Sequence, residues 1–489
     1  MNRRDVALWS LLILTSLTAS CGDEEPASTD VGTGPPNVVI FLMDTMRADR
    51  LSVYGYDRPT SPRMEELAEE AIVFESAHAP APWTLPSVAS LMLSSFLSEH
   101  GVVRDGDTIP GSAAPLAERL RSAGYRTASF HRNPYAGKLS GLDRGFEISE
   151  LVEEEIDGEL VGRWLEDASG EEPFFLYCHN TGAHDPYDPP AEYLAPFGSV
   201  DRETIDRITE ICHEYRQLTR ENIVALLSED APDNSARQAE LMKQLAELEP
   251  TIDLLYDAEV LWADALLGDV IDSLKERGVW DDTLFIVLSD HGEELGEHAG
   301  WQHDQSTYEE LVRVPLIVKL PNGLRGGTRI SAPTTTIDVM PTVLDFTGLD
   351  PEEAVSGRSL ETWLLGLEDP SEDVRVTSVR LNRKKYYAPN KALRGDENIV
   401  VRQGRFKGIL NSEVDTFELY DLEADPGEQT DLSPREPERT AKLRSFAKAW
   451  RALAVQRMRA GYQADVQVAL DPEQRRLLES LGYLTAPKK

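Results

Sequence analysis

The run Asn37-Val38-Val39-Ile40-Phe41-Leu42-Met43, stopped by Asp44, decides the fold. Three of its residues are β-branched and none is charged, the pattern of a strand buried on both faces of a parallel sheet. A second such run, Thr283 to Leu288, ends at Ser289-Asp290-His291-Gly292. Residues 126–130, 174–178 and 314–318 read as further strands. Between them, residues 63–71, 114–123 and 158–165 carry the spacing of amphipathic helices, and 200–274 is a charged, Leu-rich helical region without strand signal. Alternating strands and helices predict an α/β fold: a large mixed, mostly parallel sheet sandwiched by helices. Ligands of such sheets collect at the carboxyl ends of the strands, where Asp44 and the Asp290-His291 pair both stand.

Past residue 370 the character changes. Short alternating runs, such as Asn398 to Arg402, Arg405 to Leu410 and Glu418 to Tyr420, predict a smaller C-terminal antiparallel-sheet subdomain over 371–435. A helical tail over 436–489 follows, with helices at 436–460 and 472–481. The body of the chain, 37–370, is then the expected catalytic domain.

The chain has 489 residues, 41% hydrophobic and 28% charged, enough for one large and one small domain. Its net charge of −37 repels polyanions, which argues against nucleic acid as a partner. At the N-terminus, Arg3 and Arg4 precede an apolar run from Val6 to Leu17 that is too short to span a bilayer. Thr18-Ala19-Ser20-Cys21-Gly22 then resembles a bacterial lipobox, so 1–21 reads as a lipoprotein-type signal segment with a lipid on Cys21. Residues 22–36, rich in Ser, Thr, Gly and Pro, suit a flexible tether. The expected location is extracytoplasmic, anchored to a bacterial membrane. Cys178 and Cys212 are assigned no catalytic role, and sequence leaves open whether they pair.

The stretch Pro82-Trp83-Thr84-Leu85-Pro86-Ser87 precedes an apolar helical pattern. Thr84 there reads in two ways: as a residue that caps the helix, or as a nucleophile held at the positive end of its dipole. Asp44, Thr84, Asp290 and His291 together make a four-ligand set for one divalent ion. The imidazole favours zinc or manganese over calcium or magnesium. Coordination would lower the pKa of the hydroxyl and activate it.

These residues lie within motifs that resemble the sulfatase family of the alkaline phosphatase superfamily. The first half of the resemblance is Met43-Asp44-Thr45-Met46-Arg47-Ala48-Asp49-Arg50, Tyr54-Gly55-Tyr56, Thr60-Ser61-Pro62, the Thr84 stretch and Glu99-His100-Gly101-Val102. The second half is Ser289-Asp290-His291-Gly292-Glu293-Glu294-Leu295-Gly296-Glu297-His298, Tyr308-Glu309-Glu310 and Arg313-Val314-Pro315-Leu316. Glu418-Leu419-Tyr420-Asp421-Leu422 resembles the family's C-terminal subdomain.

The resemblance implies that Asp44, the nucleophile, Asp290 and His291 hold a catalytic metal. In sulfatases the nucleophile is a Cys or Ser in the pattern C/S-x-P-S-R and becomes formylglycine. This chain has Thr84-Leu85-Pro86-Ser87-Val88 there, so no formylglycine can form. Thr45 replaces a second metal-binding aspartate, and Gly182 stands where relatives often carry Asp. The resemblance further implies that His184 contacts the transferred or leaving group and that His303 lies near a substrate-binding position. His179 and Arg47 are the remaining substrate-binding candidates; Arg47 reads equally as an anion clamp or as a salt-bridged helix residue. Asn133 and Lys138 lie in a segment that elsewhere carries a catalytic lysine, and Lys138 is expected to be exposed.

The expected activity is metal-dependent hydrolysis or transfer of an anionic phosphate or sulfate ester through Thr84. Phosphoryl-type transfer is preferred, because a sulfated threonine lacks the aldehyde route of release. The alternatives are sulfuric ester hydrolysis without formylglycine and a non-catalytic binding lipoprotein.

Overall fold

The computed structural model describes residues 34–167, 172–225, 234–350, 355–381, 397–460 and 465–466. The expected signal segment, most of the tether and the expected helix at 472–481 lie outside these residues.

Eight strands build the main sheet: β1 (Asn37–Met43), β2 (Ile72–Phe74), β3 (Arg126–His131), β4 (Ile148–Leu151), β5 (Phe174–Asn180), β6 (Thr283–Leu288), β7 (Leu316–Lys319) and β8 (Thr328–Ile330). Their order is β8-β2-β7-β6-β1-β5-β3-β4. β1 pairs in parallel with β5 on one side and β6 on the other, and β7 alone runs against the rest. The central position of β1 explains its composition. Val39, Phe41 and Met43 enter one core, while Val38, Ile40 and Leu42 enter the core on the opposite face.

The first core is closed by α1 (Pro62–Glu70), α4 (Gly158–Asp167) and a long pair, α5 (Arg202–Ala225) and α6 (Ser235–Glu276). The second is closed by α2 (Thr84–Leu93), α3 (Leu116–Ser122) and α7 (Val339–Phe346). α6 is continuous across Pro250, although an interior proline removes one backbone hydrogen bond. Its neighbours Leu245, Ile252, Leu255 and Tyr256 are fully buried, and this packing outweighs the local break. Cys178 and Cys212 are buried free thiols. No described helix is long and apolar enough to cross a membrane.

The C-terminal sheet is a four-stranded antiparallel meander, β9 (Arg375–Leu381), β10 (Glu397–Gln403), β11 (Phe406–Asn411) and β12 (Thr416–Asp421). Leu443 and Ala447 of α8 (Pro437–Ala460) pack on Val379, Ile399, Val401, Leu410 and Leu419. The same cluster takes in Ala81, Phe96, Leu97 and Ile337 from the larger sheet's surroundings.

A buried ionic knot joins the two sheets. Lys407 of β11, fully buried, lies 2.9 Å from Glu309 and 2.9 Å from Glu428. Removing the ammonium leaves the buried Glu428 carboxylate without its cation and beside Glu309, which keeps Arg402 at 3.6 Å and His78 at 3.6 Å. Lys407→Met is therefore expected to lower the unfolding free energy by about 3–5 kcal/mol in urea titrations, the cost typical of breaking a buried pair. A loss below about 1 kcal/mol would mean that the knot adds little to stability.

Candidate active site

The carboxyl ends of β1, β5 and β6 lie level because their registers match: Leu42 is opposite both His179 and Leu288, and Met43 is opposite Asn180. Asp44 follows directly, its backbone N–H donating to the Asn180 carbonyl at 2.9 Å and its carbonyl accepting from Ala183 at 3.3 Å. The chain then turns sharply at Thr45, whose φ of 55° is left-handed and costly for a β-branched residue. That turn aims the Thr45 N–H at Asp290 Oδ1, 3.4 Å away.

Thr84 is the first residue of α2, and Trp83, not Thr84, occupies the cap position. The capping reading of Thr84 is thereby corrected: its hydroxyl is directed to the strand ends. Oγ1 lies 3.2 Å from His291 Nε2 and 3.4 Å from Asn133 Nδ2. His291 Nδ1 sits 2.8 Å from the Gly292 carbonyl, which can only accept, so Nδ1 carries the hydrogen and Nε2 presents a lone pair. That lone pair is 3.4 Å from Asp44 Oδ1 and 3.5 Å from Asp290 Oδ2. Neither carboxylate oxygen has a hydrogen-bond partner, and both residues are buried. Three acceptors thus converge beside a threonine oxygen in a buried site, an arrangement that a divalent cation satisfies. The residues present fit a metal.

The electrostatics point the same way. Burial drives the Asp290 carboxyl well above the usual range, and the charge of Asp44 adds to the shift. Burial also opposes ionisation of Asp44. The His179 hydrogen bond is the largest effect against it, and Asp44 is held below its ordinary value. A dication would let both ionise.

The other expected residues divide. His179 Nε2 is 3.3 Å from Asp44 Oδ2, with Nδ1 2.9 Å from the Tyr177 hydroxyl. His179, Asp44 and Asp290 each bring a ligand atom within 4.8 Å of the others, so the residue expected to touch substrate sits within the ligand cluster. The His303 ring lies 4.7 Å from His291, tilted, and 5.2 Å from His184, edge-on, measured between ring centroids. Arg47 is not brought in as an anion clamp. Its guanidinium is turned to Asp49 and Glu297, both at 2.8 Å, and to the Glu293 carbonyl at 3.0 Å, so its charge is already balanced. Lys138 is exposed.

Two residues enter that sequence reasoning gave no role. Asn133 Nδ2 donates to Asp44 Oδ2 at 2.8 Å while its Oδ1 accepts from the Tyr135 N–H at 3.1 Å, fixing the amide's orientation. The signal available was an Asn-Pro step just past a strand end. Glu293, fully buried, lies 3.0 Å from His303 Nδ1; in the sequence it stands within the Ser289 to His298 motif without a role of its own.

Gly182 explains its own departure from an aspartate. Its φ is +55°, and a Cβ there would lie 2.5 Å from the Asp44 carbonyl oxygen. Gly182→Ala is expected to shift Asp44 and weaken zinc or manganese binding at least about tenfold, or about 1.4 kcal/mol. Isothermal titration checks this; unchanged affinity would show that Asp44 is not held by that contact.

The sulfatase family profile matches residues 36–349, and the profile for the C-terminal part of N-sulphoglucosamine sulphohydrolase matches 296–449. The chain is 25% identical over 490 aligned residues to an N-acetylglucosamine-6-O-sulfatase of Bacteroides thetaiotaomicron, with 86% of each chain covered. To a choline-sulfatase of Rhizobium meliloti it is 26% identical over 472, covering 85% of this chain and 86% of the other. The solved phosphonate monoester hydrolase of Agrobacterium radiobacter shares the fold with a TM-score of 0.66 at 20% identity, covering 86% of this chain and 96% of that one.

Proposed function

Since this chain belongs to the sulfatase family, we propose that it is a metal-dependent ester hydrolase or transferase that works through Thr84 and prefers phosphoryl-type transfer. The observation that carries this reading is the placement of Thr84 Oγ1 3.2 Å from His291 Nε2, beside the unpartnered oxygens of Asp44 and Asp290.

Asp44, Thr84, Asp290 and His291 would hold the ion, zinc or manganese by the chemistry of the donors, with His179 alongside. Once bound, the ion supplies positive charge that lowers the pKa of the threonine hydroxyl and steadies the anionic ester oxygens. The remaining work belongs to the chain. Thr84 Oγ1 attacks the ester centre from the positive end of α2. Asn133 donates from Nδ2 to Asp44 and Thr84, keeping the carboxylate and the nucleophile aligned. His303, next to the His291 ring, and His184, next to His303, serve the leaving group.

Chemistry at the threonine ester favours phosphorus. A phosphothreonine is released by a second in-line attack from water or an acceptor alcohol, whereas sulfothreonine has no carbonyl to collapse to. The phosphonate monoester hydrolase neighbour supports this reading, since its fold accommodates chemistry at phosphorus. The curated relatives favour a second reading, sulfate ester hydrolysis without formylglycine. Acid quenching during turnover of an aryl phosphate ester separates the two. Peptide mass spectrometry is expected to find a phosphoryl group on Thr84; a phosphoryl group on another residue would overturn the assignment.

The lipid anchor on Cys21 and the extracytoplasmic location belong to the same proposal. They are supported by the apolar run from Val6 to Leu17 and the small residues before Cys21.

A further inference from the structure

His184 and His303 come from loops far apart in sequence, yet α5 ties down the chain neighbour of each. Asp185 follows His184; its Oδ2 is ion-paired with Arg216 of α5 and also accepts from Gln302 Nε2 at 3.1 Å. Gln302 precedes His303, and the same Nε2 donates to the carbonyl of Cys212, one turn earlier on α5, at 3.0 Å. The other oxygen of the Asp185 carboxylate, Oδ1, faces the His184 ring 3.4 Å from Nδ1. A second tie lies beside Arg216: Gln305 Nε2 donates to the Tyr215 hydroxyl at 3.3 Å and to the Trp301 carbonyl at 2.7 Å. Asp185, Cys212, Tyr215, Arg216 and Gln302 are all buried. Gln302 has a φ of 67°, a left-handed conformation costly for a glutamine, so its two hydrogen bonds hold the loop against a local preference.

We propose that Arg216 is a positioning residue: by fixing the Asp185 carboxylate, its guanidinium sets the spacing of the His184 and His303 rings, 5.2 Å between centroids. The proposal rests on the reading above, in which these two histidines serve the leaving group. No proton moves in this role. The cation holds the carboxylate, and the carboxylate holds two loops, one through its own main chain and the other through the Gln302 amide. A planar guanidinium pairs with a carboxylate in a defined orientation, which the point charge of an ammonium does not impose. Buried ion pairs add little net stability, because desolvation offsets their attraction, so what this pair supplies is geometry. Geometry matters at such a place, since displacing a reacting group by about 1 Å costs on the order of 10²-fold in rate.

The experiment compares metal-loaded full-length protein with Arg216→Met, Gln302→Met and the double variant on an aryl phosphate ester. Arg216→Met is expected to lower kcat about 10²-fold and Gln302→Met about tenfold. KM, and zinc or manganese affinity in isothermal titration, should change less than about threefold, because Asp44, Thr84, Asp290 and His291 are not touched. The double variant should be no worse than Arg216→Met, because both residues act through Asp185. Guanidinium ion, added well below denaturing concentrations, should restore at least about tenfold in kcat to Arg216→Ala, and methylammonium should not. Crystals of Arg216→Met should show the two rings at a changed spacing. A residue serving only the fold would lower the melting temperature without moving the rings or responding to guanidinium. Wild-type kcat in a folded Arg216→Met or Gln302→Met, or rings still 5.2 Å apart, would overturn the proposal while leaving Thr84 untouched. Should Arg216→Met fail to fold, Gln302→Met, which keeps the ion pair, decides by the same two readouts. Absence of wild-type turnover would sink the Thr84 reading instead, and the ring spacing would then test Arg216 by itself.

Discussion

Thr84→Ala is expected to lower kcat at least about 10³-fold, since the substitution removes the attacking oxygen itself. Its effect on stability should be small. Trp83 holds the cap position of α2, so the helix loses no cap, and the change removes one buried methyl and one hydroxyl, about 1 kcal/mol in total. The two effects must separate. A variant that keeps its cooperative unfolding and loses turnover places the chemistry on Oγ1; a variant that keeps wild-type turnover would transfer the nucleophile to another group. Thr84→Ser is the companion control, because it restores the hydroxyl without the methyl and should recover most of the activity.

Asp290→Asn carries the second large effect, in stability rather than rate. A site that binds zinc or manganese gains about 4 kcal/mol when the free ion exceeds its Kd a thousandfold, and the melting temperature of wild type should rise accordingly. The variant should lose most of that gain. Its metal-free form, in contrast, should be no less stable than wild type, because asparagine removes a buried carboxyl that burial and the neighbouring Asp44 have already pushed well above its ordinary range. Opposite signs in the two states are the mark of a metal ligand. A residue serving only the fold would lower stability in both, and an unchanged ion-induced rise would remove Asp290 from the ligand set.

The central strands were legible because each carries its own proof: β1 and β6 are apolar on both faces, and only a covered parallel sheet needs that. The outer strands were not. Residues 72–74, 148–151 and 328–330 are three or four residues long, and their strand character comes from the neighbour they pair with. At the site, Asp44, Asp290 and His291 could be read because strand ends and a family motif coincide there. For Arg47 the salt-bridged alternative matches the structure: one partner, Asp49, is two positions away, and the other, Glu297, lies 250 positions away and becomes a neighbour only when the strands assemble. Asn133 escaped because it is 89 positions from Asp44. Glu293 lies close in sequence to both His291 and His303, yet a glutamate beside a ligand histidine is ordinary until the fold buries it 3.0 Å from His303 Nδ1.

Acidity of the whole chain also bears on what the pocket accepts. With a net charge of −37, the long-range field repels anions, so the local positive charge of a bound ion must draw the substrate in. Metal removal should therefore weaken substrate binding as well as slow the reaction. Small anionic esters suffer less from that field than sulfated polymers do.

The most direct test of the account is a comparison of zinc- or manganese-loaded protein on three chromogenic substrates: an aryl sulfate, an aryl phosphate monoester and an aryl phosphodiester. The account predicts metal-dependent turnover of a phosphate ester that exceeds turnover of the sulfate and vanishes in Thr84→Ala; turnover of the sulfate alone would contradict it.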